Sequence, residues 1–262
     1  PWGVGYPGWH IECSCISMKY CGEHLDIHCG GVDNAFPHHT NEIAQSEAYL
    51  GHPWCNYWMH VAHLDTAGGK MSKSKGGFTT VSTLEERGYD PLVYRLFCLQ
   101  SHYRKALVFS WENLDNAKAA YDKLVSRVAA LTEAGAVDAQ AAAQYEAAFR
   151  EAVGNDLNTS LGVTALYDVL KADLNDATKR ALIASYDQVL GLELLERAAA
   201  RKEQQAQAAS GEGAAEIEAL IARRSEAKRA KDWGKADAIR DQLKAMGVEI
   251  KDTPNGVEWK RI

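Results

Sequence analysis

Lys70-Met71-Ser72-Lys73-Ser74 puts two ammonium groups and two hydroxyls on a short loop between Gly68-Gly69 and Gly76-Gly77. That combination suits a polyphosphate, because lysine acts on phosphate as a point charge and glycines let a loop close over its ligand. Charge placed against a pyrophosphate leaving group is electrostatic transition-state stabilisation. Lysines more often form solvated basic loops, and residue types alone leave both readings open.

A second cluster carries different chemistry. Trp9-His10-Ile11-Glu12-Cys13-Ser14 is followed by Gly30-Gly31-Val32-Asp33 and then Phe36-Pro37-His38-His39-Thr40-Asn41-Glu42. Pro37 suits the first turn of a helix, on which His38 and Glu42 stand four residues apart on one face. With Cys13 they offer thiolate, imidazole and carboxylate, all competent zinc ligands. A zinc site with an open position favours a thiol substrate over a hydroxyl, a discrimination that a small apolar pocket cannot make. By spacing alone, the same residues are equally an ordinary helix-surface pair beside a buried cysteine.

The lysine pentapeptide is the signature loop of class I aminoacyl-tRNA synthetases, and the order of both clusters resembles cysteinyl-tRNA synthetases over essentially the whole chain. The resemblance implies zinc on Cys13, His38 and Glu42, with a fourth ligand from a cysteine near the family's amino terminus. It implies Lys73 and Lys70 opposite the ATP phosphates, joined by Ser72, with Mg2+ accompanying the nucleotide. Asp33 is expected to hold the ammonium group of substrate cysteine, with Trp9, His28 and His39 as further substrate-facing residues. Three departures from the family pattern affect fine geometry only: Thr40 for a usual glutamate, Ser160 for proline, and Lys75-Gly76-Gly77 for Leu-Gly-Asn.

The chain opens at Pro1-Trp2-Gly3 without the His-Ile-Gly-His type motif of the family. It therefore reads as a carboxy-terminal fragment, expected to be inactive alone in cysteine activation and to hold zinc weakly or not at all. Gly3, Gly5 and Gly8 match a dinucleotide fingerprint literally, but no strand precedes them. The 262 residues are 46% hydrophobic and 24% charged, ordinary globular usage. No apolar run reaches membrane-spanning length, and six cysteines without regular spacing fit reduced thiols in a cytoplasmic monomer. Cys15, Cys21 and Cys29 are expected as local core residues.

The positioning elements follow from pattern changes. Leu25–Cys29 and Tyr57–Leu64 are predicted strands around a helix over Pro37–Leu50. Ligands of such sheets sit beyond the carboxyl ends of the strands, near His28 and Asp33. The fold class expected is α/β plus α. Residues 1–66 form the second half of a Rossmann-like catalytic domain, and 67–95 the lysine loop and stem-contact region. A helical bundle over 96–200 is followed by a linker over 201–213 and a small α+β anticodon-binding domain over 214–262. In that domain one predicted helix from Arg223 to Lys235 aligns Arg224, Lys228, Lys231 and Lys235 as a basic stripe for tRNA-Cys, although the net charge is -6. Trp233 is expected to be buried, with stacking on a base as the alternative. The residues after Gly247 predict a hairpin around Pro254-Asn255-Gly256.

The function implied is ATP-dependent activation of cysteine and transfer to tRNA-Cys. Two alternatives remain. One is the cysteine ligase of mycothiol synthesis, which joins cysteine to an amino sugar and has no use for an anticodon reader. The other is a non-catalytic tRNA-binding module.

Overall fold

The computed structural model describes residues 3–66, 69–70, 80–210, 214–253 and 256–261. It contains two compact units, Pro1–Lys123 with Gly135–Leu192, and Leu124–Ala134 with Glu193–Ile262.

The first unit begins with helix α1 (Trp9–Cys21), which stops at Gly22 where φ is 89°. Strand β1 (Leu25–Gly31) leads through two tight turns, over Val32–Asn34 and Ala35–His39, into α2 (Thr40–Leu50). Gly51 ends α2 in the left-handed region at φ 75°, and β2 (Cys55–Val61) returns parallel to β1. A parallel pair of strands needs such a crossover, and here the crossover is the helix carrying Glu42. The expected strand–helix–strand unit is present, with its bounds shifted. Regular helix starts at Thr40 rather than Pro37. The expected second strand is broken at Ala62-His63, because Leu64–Thr66 (β3) belongs to another sheet, between β4 (Gly69–Lys70) and β5 (Leu107–Phe109).

The rest of the unit is helical. Helix α3 (Val81–Glu86) is capped by Thr80, and α4 (Pro91–Leu99) by Asp90 with proline at the first position. Then come α5 (Trp111–Ala129), α6 (Ala139–Gly154), α7 (Thr159–Lys171) and α8 (Asp176–Leu190). Their core includes Leu96, Leu114, Phe149, Leu166 and Ile183, all buried, and the Phe149 and Tyr186 rings stack 3.9 Å apart. The Tyr121 hydroxyl donates to the Leu192 carbonyl at 2.7 Å and the Tyr186 hydroxyl to that of Tyr145 at 2.6 Å, so neither polar tip is buried unpaired. Two landmarks remote in sequence meet: Tyr103 Oη and Arg104 Nε donate to Asp156, each at 2.5 Å. These bonds hold the Asp156 carboxyl down at about 2, Arg104 contributing most.

The second unit includes α9 (Leu194–Ser210), so residues expected as a linker from position 201 are helical through Ser210. After it come α10 (Ala214–Arg229), α11 (Trp233–Ala245) and the antiparallel strands β6 (Val248–Thr253) and β7 (Gly256–Arg261), with the expected hairpin turn only partly within the described residues. Ile217, Leu220, Ile221, Ile239, Leu243 and Val248 form its core, with Ile250, Val257 and Trp259 packed against them. The single helix expected from Arg223 to Lys235 is two helices. The chain turns at 230–232, where Lys231 adopts φ 59° and Asp232 caps α11 by accepting from Lys235 N. Among the described residues, no helix is long and apolar enough to cross a membrane.

Candidate metal centre

The packing of α1 on α2, which includes one buried side-chain hydrogen bond, assembles the centre. Ser46 Oγ donates to Ser14 Oγ at 3.0 Å, and both serines are buried. Ser46 lies one helical turn after Glu42, and Ser14 is next to Cys13. Docking the helices at these small side chains therefore brings the Cys13 thiol over the Glu42 carboxylate. Ligand atoms of Cys13, His38 and Glu42 all lie within 4.8 Å of one another. A second set, His28, His39 and Glu42, meets the same criterion.

Glu42 is completely buried. His38 Nε2 stands 2.7 Å from its Oε1, and His28 Nε2 stands 2.8 Å from its Oε2. These are ion-pair distances, yet neither oxygen has an aligned hydrogen-bond donor. A ring N–H off the N···O line makes a weak bond whatever the separation. Burial raises the Glu42 carboxyl above its ordinary range, against the opposing pull of His38 and His10.

Burial also lowers His28, and it pushes His39 down to about 4 with help from His28, His60 and His38. Neutral imidazole is the ligating form, so this environment favours coordination. The Cys13 thiol is raised by burial first, then by Glu42 and Glu12, so a cation is needed to draw out its thiolate. The donors fit zinc in type, and this chain supplies three of them among the described residues.

Sequence reasoning missed His60, Trp54 and Trp58. His60 Nε2 meets His39 Nδ1 at 2.9 Å, and Trp54 and Trp58 flank His28 at ring separations of 5.6 and 4.9 Å. The signal was the alternation of β1 and β2, which pairs His28 with Trp58 and Gly30 with His60 and so puts all four on one face. Gly30 is required there. A Cβ at this position would fall 2.7 Å from His39 Cε1.

Other expected residues are placed differently. Trp9 is exposed at the start of α1, one turn before Cys13, and Asp33 is exposed with His63 Nε2 3.8 Å away. Cys15, Cys21 and Cys29 are exposed rather than core. Lys70 ends β4, whereas Ser72 and Lys73 lie outside the described residues. The basic stripe is not continuous. Arg224 is buried and holds Asp252 through two bonds of 2.9 and 3.0 Å, and Lys228 joins the same carboxylate at 2.9 Å. Lys231 and Lys235 are exposed, as is Trp233 at 59%, against the expectation of burial.

Comparison with known proteins matches residues 1–119 to "tRNA synthetases class I (C) catalytic domain" and residues 210–259 to "Cysteinyl-tRNA ligase anticodon binding domain". The parallel strand–helix–strand unit is thus part of a class I aminoacyl-tRNA synthetase catalytic domain, followed by helices and an anticodon-binding domain. "Cysteine--tRNA ligase" of Symbiobacterium thermophilum is 45% identical over all of this chain and 58% of its own length. "Cysteine--tRNA ligase 1" of Burkholderia lata is 43% identical over 98% of this chain and 52% of its own. The chain belongs to the cysteinyl-tRNA synthetase family and spans about half the length of the curated relatives it matches. Among solved structures, the ternary complex of an Agrobacterium radiobacter LeuRS with tRNA and LeuAMS aligns with TM-score 0.46 and 14% identity, over 66% of this chain and 27% of that one.

Proposed function

We propose that this chain contributes the amino-acid-selecting and anticodon-facing parts of a cytoplasmic cysteine--tRNA ligase. The convergence of Cys13, His38 and Glu42 carries the reading. These three would hold zinc, and zinc bound there supplies a soft Lewis acid that favours the thiolate of cysteine over the hydroxyl of serine. Their four-residue spacing holds His38 and Glu42 side by side, while Trp54, fully buried, and Trp58 limit water around the donors. Asp33, exposed at the end of β1, is suited to the substrate's ammonium group. Lys70, Ser72 and Lys73 would face the phosphates of ATP and its Mg2+ as cysteinyl adenylate forms and pyrophosphate leaves.

For the tRNA, we propose Lys231, Lys235 and the exposed Trp233 as the reading surface, with the indole stacking on a base. Arg224 and Lys228 support that surface from below by holding β6 against α10. The match of residues 210–259 to an anticodon-binding domain favours this reading over a ligase acting on an amino sugar.

The test is titration of the chain with labelled tRNA-Cys and with the same tRNA carrying a changed anticodon, across a salt series. Preference of tenfold or more for the unchanged anticodon, lost in Trp233→Ala, is expected. Equal affinity for both tRNAs would overturn the anticodon assignment. Failure of Cys13→Ala to reduce zinc uptake would overturn the metal assignment.

A further inference from the structure

The two oxygens of Glu42 face different imidazoles: Oε1 is 2.7 Å from His38 Nε2, and Oε2 is 2.8 Å from His28 Nε2. Glu42 belongs to two donor sets, one with Cys13 and His38 and the other with His28 and His39. We infer that Glu42 serves two cation positions, and that His28, His39 and Glu42 form a second one, specific for a borderline divalent transition-metal ion. It shares a carboxylate with the zinc position proposed above but uses no thiolate.

Four observations carry this. His39 is 3% exposed and Glu42 0%, so two of the three donors are polar groups held away from water. Burial without aligned hydrogen bonds is costly for a carboxylate unless a cation or a proton compensates it. The His39 ring is oriented from behind, because its Nδ1 meets His60 Nε2 at 2.9 Å, the outer contact that ligating histidines characteristically make. A side chain is excluded beside its other nitrogen, since a Cβ at Gly30 would lie 2.8 Å from Nε2 and 2.9 Å from Asn34 Nδ2. Finally, Trp54 and Trp58 wall His28, which lowers the local dielectric and strengthens any charge held there.

The donor chemistry sets the ligand class. Two imidazoles and one carboxylate suit zinc, cobalt, nickel or copper rather than magnesium or calcium, which prefer all-oxygen shells. Donor atoms as much as 4.8 Å apart must close by side-chain rotation onto bonds of about 2.0–2.1 Å. A carboxylate bridging two ions, one per oxygen, is the arrangement of two-metal sites.

The experiment uses the tag-free 262-residue chain, stripped of metal and titrated with Co(II) while thiolate-to-cobalt absorption in the near ultraviolet is followed. Stoichiometry is measured in parallel by equilibrium dialysis with zinc, and circular dichroism checks the fold of each variant. At saturating cobalt the expected result is two cations per chain, of which one, held weakly by the three donors this chain supplies, brings the thiolate band. Cys13→Ser should keep one cation and lose the band. His39→Gln and His28→Gln should each keep one cation and retain the band, and His60→Ala should weaken only the band-less position, by about 10–100-fold.

Folded Cys13→Ser that takes up no cation would overturn the inference. So would unchanged stoichiometry in both His28→Gln and His39→Gln. The zinc reading fails separately, through absence of a Cys13-dependent band.

Discussion

Replacing Asp252 with asparagine should loosen the small α+β unit from its first strand outward. The carboxylate on β6 receives Arg224 Nη1 and Nη2 at 2.9 and 3.0 Å and Lys228 Nζ at 2.9 Å. The Arg224 side chain is only 10% exposed, that of Asp252 is 46% exposed, and Arg224 Nε is buried without a partner. An exposed pair contributes about 0.2–1 kcal/mol, whereas stranding a buried charge costs about 3–5 kcal/mol. With one partner buried and the other half solvated, the screened cost of Asp252→Asn is about 2 kcal/mol. That is a large share of the stability of so small a unit, whose core among the described residues is a cluster of a few apolar side chains around Ile239 and Leu243. At 1.4 kcal/mol per tenfold, opening of β6 should rise about thirtyfold. Hydrogen-exchange mass spectrometry on peptides covering Val248–Thr253 in the full chain reads this directly. Adding Arg224→Met to Asp252→Asn should restore most of the protection, because no guanidinium is then left stranded. Exchange unchanged within threefold in Asp252→Asn would refute the reasoning.

The same carboxylate sets a pH dependence. Arg224, and after it Lys228, hold Asp252 well below the usual carboxylate range, so the folded unit binds fewer protons than the unfolded chain through the acid region. Its contribution should be complete above about pH 4 and decline as pH falls further, with protection in β6 flat in Asp252→Asn. Ser46→Leu should force α1 from α2 at the 3.0 Å serine contact and lower cobalt affinity at least tenfold without loss of helix signal. Phe149→Ala should cost about 3–5 kcal/mol in denaturant unfolding, since its ring is buried and stacked on Tyr186. Gly191→Ala should cost about 1–3 kcal/mol, because φ is 61° there and the added Cβ would lie 3.1 Å from Arg95 Nε.

The class of the protein and half of its candidate metal centre were legible in the residues themselves. His38 and Glu42 meet because four residues on a helix return to one face, a local geometry that spacing alone determines. The parallel strand–helix–strand unit and the carboxy-terminal hairpin were likewise readable, since each rests on local periodicity or turn chemistry. Tertiary packing decided what remained. Cys13 reaches Glu42 because α1 packs on α2, where Ser14 meets Ser46, a pairing across 32 residues of two small hydroxyls that carry no pattern of their own. His28 and His39 join the same carboxylate because the register of β1 on β2 and the turns before α2 fold them inward. Arg224 looked like part of a tRNA-facing stripe, but the hairpin returns Asp252 beneath it and takes its charge into the fold. Periodicity specifies which face a side chain occupies, whereas its partner depends on which distant segment packs over that face.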